Sequence, residues 1–121
     1  MDELESIEIK AFIPARDFDV SKQFYQDIGF TMASDNDGIA YFVHDNCSFL
    51  LQDFYDPTLA NNFMMHLLVK DVEKWHEQLV SSNIIEKYSI KVSEVTKQPW
   101  GMLDYTMTDP CGVLWRVAQN I

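Results

Sequence analysis

The chain has 121 residues, of which 47 % are hydrophobic and 23 % charged, the balance of one globular domain with a modest core. A formal net charge of −10 argues against nucleic acid as a partner, because phosphate contacts need lysine and arginine, and suits a cationic ligand or simple solubility. Apolar runs such as 63–69 are too short to span a bilayer, and Cys47 and Cys111 are too few for a disulfide scaffold.

The start, "MDELESIEIK", is acidic and lacks the apolar run of a signal peptide, so the expectation is a cytoplasmic protein with two reduced thiols. An apolar run at 7–13 reads as the first strand. In "ARDFDVSKQFYQDIGF", Asp17 suits a helix N-cap and Asp19 the positive end of the helix dipole. Val20, Phe24 and Ile28, with Tyr25 beside them, make the buried stripe, and Gly29 stops the helix. Strand-like runs follow at 30–34, 39–44 and 48–54, separated by the turn residues "DNDG" and "HDN".

The pattern then recurs. After the apolar run 63–69, "VKDVEKWHEQLVSSNI" repeats the basic-acidic-apolar-acidic opening, with Asp71 as cap, Glu73 in the first turn and Val72, Trp75 and Leu79 as the stripe. Strand-like runs follow at 90–96, 102–108 and 113–118, the last two joined by the Asp109–Pro110–Cys111–Gly112 turn. The order is βαβββ twice, an α+β architecture in one domain over 1–121, with modules of about 7–54 and 63–118. One helix covers one face of each sheet; the free faces of two modules side by side could curve into a cleft.

Paired βαβββ modules, "FYQDIGF" closing the first helix and "QPWGMLDYTMTDPCG" near the end resemble the vicinal oxygen chelate superfamily, the glyoxalase, bleomycin-resistance and dioxygenase group, over nearly the whole chain. The "QPWG" followed by "DPCG" points to the bleomycin-resistance-like branch. That resemblance implies an intertwined homodimer that holds a planar, cationic drug or antibiotic in grooves at the subunit interface and sequesters it unaltered. The enzymes of the superfamily instead hold a divalent metal in the cleft.

Aligning the modules places the superfamily's four ligand positions on Lys10, Gln52, Met64 and Arg116. Two cations, an amide and a thioether do not suit a divalent ion, so no metal and no other cofactor is expected. Strand alternation puts His66 on the same face as Met64; His44 and His76 read as surface or boundary positions. By the same alternation Ser48 and Gln52 face the cleft, Ile39 shares a face with Tyr41, and Lys10 with Phe12. Trp115 belongs to an apolar triplet and reads as core. Trp100, between Pro99 and Gly101, aligns with a tryptophan of the family's drug groove, where a flat ring stacks on heteroaromatic groups or holds a cation. The alternative is a loop tryptophan closing the edge of the core. Asp35 and Asp37, placed in the loop after the second strand, and Asp104 either select a cation or are solvated carboxylates.

The reading is a metal-free, non-enzymatic small-molecule-binding homodimer. Lys10 and Arg116 oppose a cationic ligand unless acids pair with them, and they suit an anionic ligand equally, so the sign of the ligand's charge stays open. Two alternatives stand beside it: a metal-dependent glyoxalase or dioxygenase-type enzyme with displaced ligands, and a non-catalytic interaction protein with a vestigial cleft.

Overall fold

A computed structural model describes residues 4–121; Met1 to Glu3, the start of the acidic N-terminal stretch, lie outside them. The order is β1 (Phe12–Pro14), α1 (Phe18–Asp27), β2 (Thr31–Asn36), β3 (Ile39–His44), β4 (Cys47–Gln52), α2 (Pro57–Asn61), β5 (Met64–Leu68), α3 (Val72–Ser81), α4 (Ile84–Tyr88), β6 (Thr96–Gln98), β7 (Met102–Thr108) and β8 (Leu114–Asn120). These strands form two four-stranded mixed sheets with the same internal logic, β1-β4-β3-β2 and β5-β8-β7-β6. In each, the first strand runs parallel to the last and the other pairs are antiparallel.

The helix starts follow the expected chemistry. Asp17 accepts from the Val20 N–H at 3.2 Å and Asp71 from the Lys74 N–H at 3.1 Å, satisfying donors that a helix leaves free in its first turn. The buried stripe of α1 differs from the expected one. Phe24 and Tyr25 are fully buried, but Val20 is 39 % exposed and Ser21 takes the buried place a turn before Phe24. In α3, Val72 and Leu79 are buried and Trp75 is half-buried.

Three strands depart from the sequence reading. Regular pairing of β1 covers only Phe12–Pro14, and residues 5–11 run outside any strand. The run 90–96 is not a continuous strand. A short helix, α4, ends at Ser89 in the left-handed region (φ 52), and only Val92 bridges Met107 before β6 begins at Thr96. A β-bulge between Met32 and Ser34 shifts the register of β2 on β3. Such a bulge adds one residue and reverses which face the following side chains take.

The modules join through their helix-covered faces, in one continuous core. Trp115 of β8 packs against Tyr25, Phe30 and Phe49 of the first module at ring separations of 5.7, 5.7 and 5.4 Å. Its Nε1–H donates to the Tyr25 hydroxyl at 3.0 Å, and that hydroxyl donates to Asp109 Oδ2 at 2.5 Å. Asp109 Oδ1 accepts from the N–H groups of Cys111 and Val113, each at 2.9 Å, closing the turn in which Gly112 supplies φ +99. The tyrosine of "FYQDIGF" and the aspartate of "DPCG" are therefore one buried hydrogen-bonded unit. Burial pushes the Asp109 carboxyl up despite these donors, and burial and the Asp109 charge together push the Tyr25 hydroxyl well up, so the proton stays on the tyrosine.

Candidate functional site

With the helix sides consumed by the core, the opposite face of each sheet is free. Cross-strand register identifies what each presents. On the first sheet Phe12 pairs with Leu50, Tyr41 with Leu50, and Ile39 with Gln52, while Ser48 lies opposite Val43; all share the free face. On the second, Met64 pairs with Leu114 and His66 with Arg116, while Arg116 also pairs with Thr106. The sequence-predicted Phe12, Ile39, Tyr41, Ser48 and Gln52 therefore gather on one sheet, and Met64, His66 and Arg116 on the other. Phe12, Ile39 and Met64 remain exposed, an unusual apolar display for strand residues.

Glu8, which the sequence reading passed over, is the hub of the first free face. One of its oxygens accepts from the Tyr41 hydroxyl at 2.7 Å and from the Ser48 hydroxyl; the other accepts from Lys10 Nζ at 3.2 Å. The Lys10 ammonium also sits 5.1 Å from the centre of the Tyr41 ring, within cation–π range. The Ser48, Tyr41 and Lys10 donors, in that order, hold the Glu8 carboxyl down at about 2. Alternation was the available signal: Glu8 stands two residues before Lys10 and four before Phe12.

The second free face has its own carboxylate. Asp104 is only 2 % exposed. It accepts from Arg116 Nη1 at 2.7 Å on one oxygen and from Gln98 Nε2 at 2.9 Å on the other. Asp104 is thus not a free cation-selecting group, as the sequence allowed, but a buried acid whose oxygens are both taken. Asp35 is also corrected. It lies within β2, not in a loop, and the bulge brings it opposite Ala40 on the helix-covered side, where it pairs with Lys22 of α1 at 2.7 Å. The two cations that opposed a cationic ligand are each matched: Lys10 by Glu8, Arg116 by Asp104.

Trp100 is explained by its turn. Gly101 N–H bonds back to Gln98 O at 3.2 Å, so Pro99 and Trp100 are the central residues of a β-turn, and Gly101 follows at φ +83. That is a type I turn closed by a glycine bulge, the usual three-residue hairpin loop. The ring is carried at the tip of β6–β7, 59 % exposed, two residues from the Gln98 that holds Asp104. It does not close the core. His76 Nε2–H donates to Ser93 O at 2.9 Å, and His44 packs on Trp75 at 5.1 Å; neither is on a free face with His66.

The four metal positions fail on donor chemistry. The Lys10 ammonium and Arg116 guanidinium have no lone pair to give, and Gln52 and Met64 are weak partners for a hard or borderline divalent ion. Among the described residues no three His, Cys, Asp or Glu side chains form a metal-holding group. No helix in the same residues is long and apolar enough to cross a membrane.

Comparison with known proteins agrees with this geometry. The family model of the Glyoxalase/Bleomycin resistance protein/Dioxygenase superfamily matches residues 7–117. A bleomycin resistance protein of Klebsiella pneumoniae is 29 % identical over 113 residues, 89 % of this chain and 88 % of the relative. The fold superposes with a TM-score of 0.79 on a bleomycin-binding protein crystallised with bleomycin, at 25 % identity and covering 96 % of this chain and 100 % of that one. A lactoylglutathione lyase from Agrobacterium tumefaciens shares the fold at a TM-score of 0.68, with 19 % identity over 95 % of this chain and 94 % of that one. Duplicated βαβββ sheets, the Tyr25–Asp109 link between their motifs and a family match over most of the chain lead to one conclusion: this chain belongs to the glyoxalase/bleomycin resistance protein/dioxygenase superfamily.

Proposed function

We propose that the protein, one domain over 1–121, is a cytoplasmic antibiotic-binding protein of the bleomycin-resistance-like branch that acts by sequestration. It binds a planar, cationic small molecule against the free sheet faces and alters no bond in it. The observation that carries this reading is the character of those faces. They offer aromatic and aliphatic walls (Phe12, Ile39, Tyr41, Met64), a few polar groups (Ser48, Gln52, His66), and cations already neutralised by acids, with the exposed Trp100 ring at the β6–β7 tip as a further aromatic surface. That combination suits a ligand site and lacks a reactive centre. The Klebsiella pneumoniae relative supports the class of ligand.

The protein works as a homodimer. Ile7 and Ile9 are 98 % and 94 % exposed, and Phe12, Met64 and Leu68 are also open, in a chain whose two modules have used their other faces on each other. A second copy covers this surface and completes the groove. The enzyme alternative finds no metal donors at the four positions, so no catalytic step is assigned.

Calorimetric titration with bleomycin tests the function. Binding with quenching of tryptophan fluorescence in the intact protein, and at least tenfold weaker binding in Trp100→Ala, is expected. Absence of binding, with unchanged fluorescence, overturns the reading. Sedimentation at micromolar concentration is expected to give a dimer, and a monomer across the range overturns that part.

A further inference from the structure

The two free faces each hold one carboxylate and one cation, yet the pairs are built differently. We propose that the Glu8 carboxylate and the Tyr41 ring form a subsite for a cationic amine of the ligand, and that Lys10 is its built-in occupant, displaced when ligand binds. This deepens the binding role proposed above and rests on it.

Three observations lead there. First, the carboxylate is aimed. Tyr41 and Ser48 both donate to one oxygen of Glu8 and fix its orientation, while on the other oxygen the side-chain donor is Lys10. Second, the Lys10 ammonium already shows what the place accepts. It lies 3.2 Å from that oxygen and 5.1 Å from the ring centre, the pairing of negative charge and aromatic face that holds organic ammonium groups. Third, the occupant is cheap to remove. Lys10 and Glu8 are two residues apart on a segment outside regular structure, their side chains 32 % and 27 % exposed, so their ion pair is a weak, solvent-screened one.

The surroundings favour a cation over an anion. The depression beside Glu8 is walled by Ile7, Tyr41, Val43 and Ser48, with Asp45 as a second acid and, among the described residues, no basic side chain in its walls. An incoming amine on a flat scaffold replaces Lys10 at the carboxylate and adds apolar contact that the lysine stem does not make. The Asp104–Arg116 pair has no such opening. Both oxygens of that buried acid are engaged, by Arg116 and Gln98, so a ligand cation has no free oxygen to reach.

The test uses the intact protein and a probe simpler than any drug. Benzylammonium and benzyl alcohol differ in the charged group alone. Their binding is followed by NMR at the Tyr41 ring and the Ser48 amide, in the unaltered protein, Lys10→Met and Glu8→Gln. Benzylammonium is expected to bind about tenfold more tightly to Lys10→Met and to lose site-specific shifts in Glu8→Gln, while benzyl alcohol binds all three alike. Both substitutions lie on exposed side chains, and Tyr41→Phe, which keeps the ring, provides a further variant expected to retain weakened binding. Equal affinity of Lys10→Met and the unaltered protein for benzylammonium, or a benzyl alcohol response that changes across the variants as the benzylammonium response does, overturns the subsite. Bleomycin titration of the same variants separates the two claims: binding that ignores Lys10 and Glu8 leaves the sequestration reading standing and removes this one. No bleomycin binding alongside the expected benzylammonium pattern does the reverse.

Discussion

The two modules carry the same constellation in different surroundings. Each is a βαβββ unit with strand order first-last-third-second, an aspartate-capped helix and a carboxylate–cation pair on its free face. In the first module the pair is Glu8 with Lys10, both part-exposed and attached to an irregular segment. In the second it is Asp104 with Arg116, the acid almost wholly buried in the middle of a strand. Chemistry alone does not distinguish them; burial does. A buried acid must keep its partner, because an unpaired charge in a low-dielectric place is costly, whereas an exposed pair exchanges partners at little cost. The second module thus spends its pair on holding structure and the first keeps its pair available for recognition.

The largest test of that difference is Arg116→Met. Leaving Asp104 buried without its cation is expected to lower stability in urea by about 3–5 kcal/mol, towards the lower end because the arginine is a quarter exposed. The matching substitution in the first module, Lys10→Met, is expected to change stability by less than about 1 kcal/mol. Similar losses in both would erase the contrast.

Next in size is the bond that unites the modules. Tyr25→Phe strands a buried carboxylate oxygen and a buried indole N–H, for a loss of about 1–3 kcal/mol. Both sheets should still unfold in one transition, seen as coincident near-ultraviolet and far-ultraviolet dichroism curves. Two separated transitions would show the modules to be independent.

A pH titration sharpens the comparison from the exposed side. The Glu8 carboxyl is depressed from its ordinary 4.5 to about 2. A depressed acid stabilises the fold fully above its unfolded value, and the contribution is lost as pH falls from about 4.5 through about 2. The Ser48 amide and Tyr41 ring signals are therefore expected to titrate with a midpoint near 2, and a midpoint near 4.5 would show Glu8 to be unattached. The smallest expected effect is Trp100→Ala on stability, within about 0.5 kcal/mol, since the ring is carried on an exposed turn; a larger loss in thermal melting would place it in the core after all.

Much of this was legible from residues. The two caps, the 39–44 and 102–108 strands, the Asp109–Gly112 turn and the burial of Trp115 follow from local chemistry and period-2 alternation. The misplacements have local causes too. Asp35 reads as a loop residue because "DNDG" is turn material, yet β2 runs on to Asn36; a single bulged residue then sets its face, and nothing in "TMASDN" marks that bulge. The run 90–96 has strand-like residues, but α4 and its Ser89 cap take the preceding six positions and bring the chain in late to the edge of the sheet. Val20 lost to Ser21 because α1 is pinned by the Tyr25 hydroxyl and its distant partners, which helical periodicity cannot see. Asp104 and Arg116 stand 12 residues apart across a hairpin, so the pair emerged only from register, while Glu8 escaped notice although alternation had put it beside Lys10.

The Tyr25–Asp109 bond also sets a timetable for synthesis. The acceptor lies 84 residues after the donor, so at roughly 5–20 residues per second the ribosome delivers it about 4–17 s later. From the completion of β4 at Gln52 until then, the first module has its sheet-forming strands but neither Asp109 nor, a few residues later, Trp115 to close over Tyr25, Phe30 and Phe49. The nascent chain therefore waits with its best apolar surface uncovered, and completion of the last hairpin is what commits both halves at once.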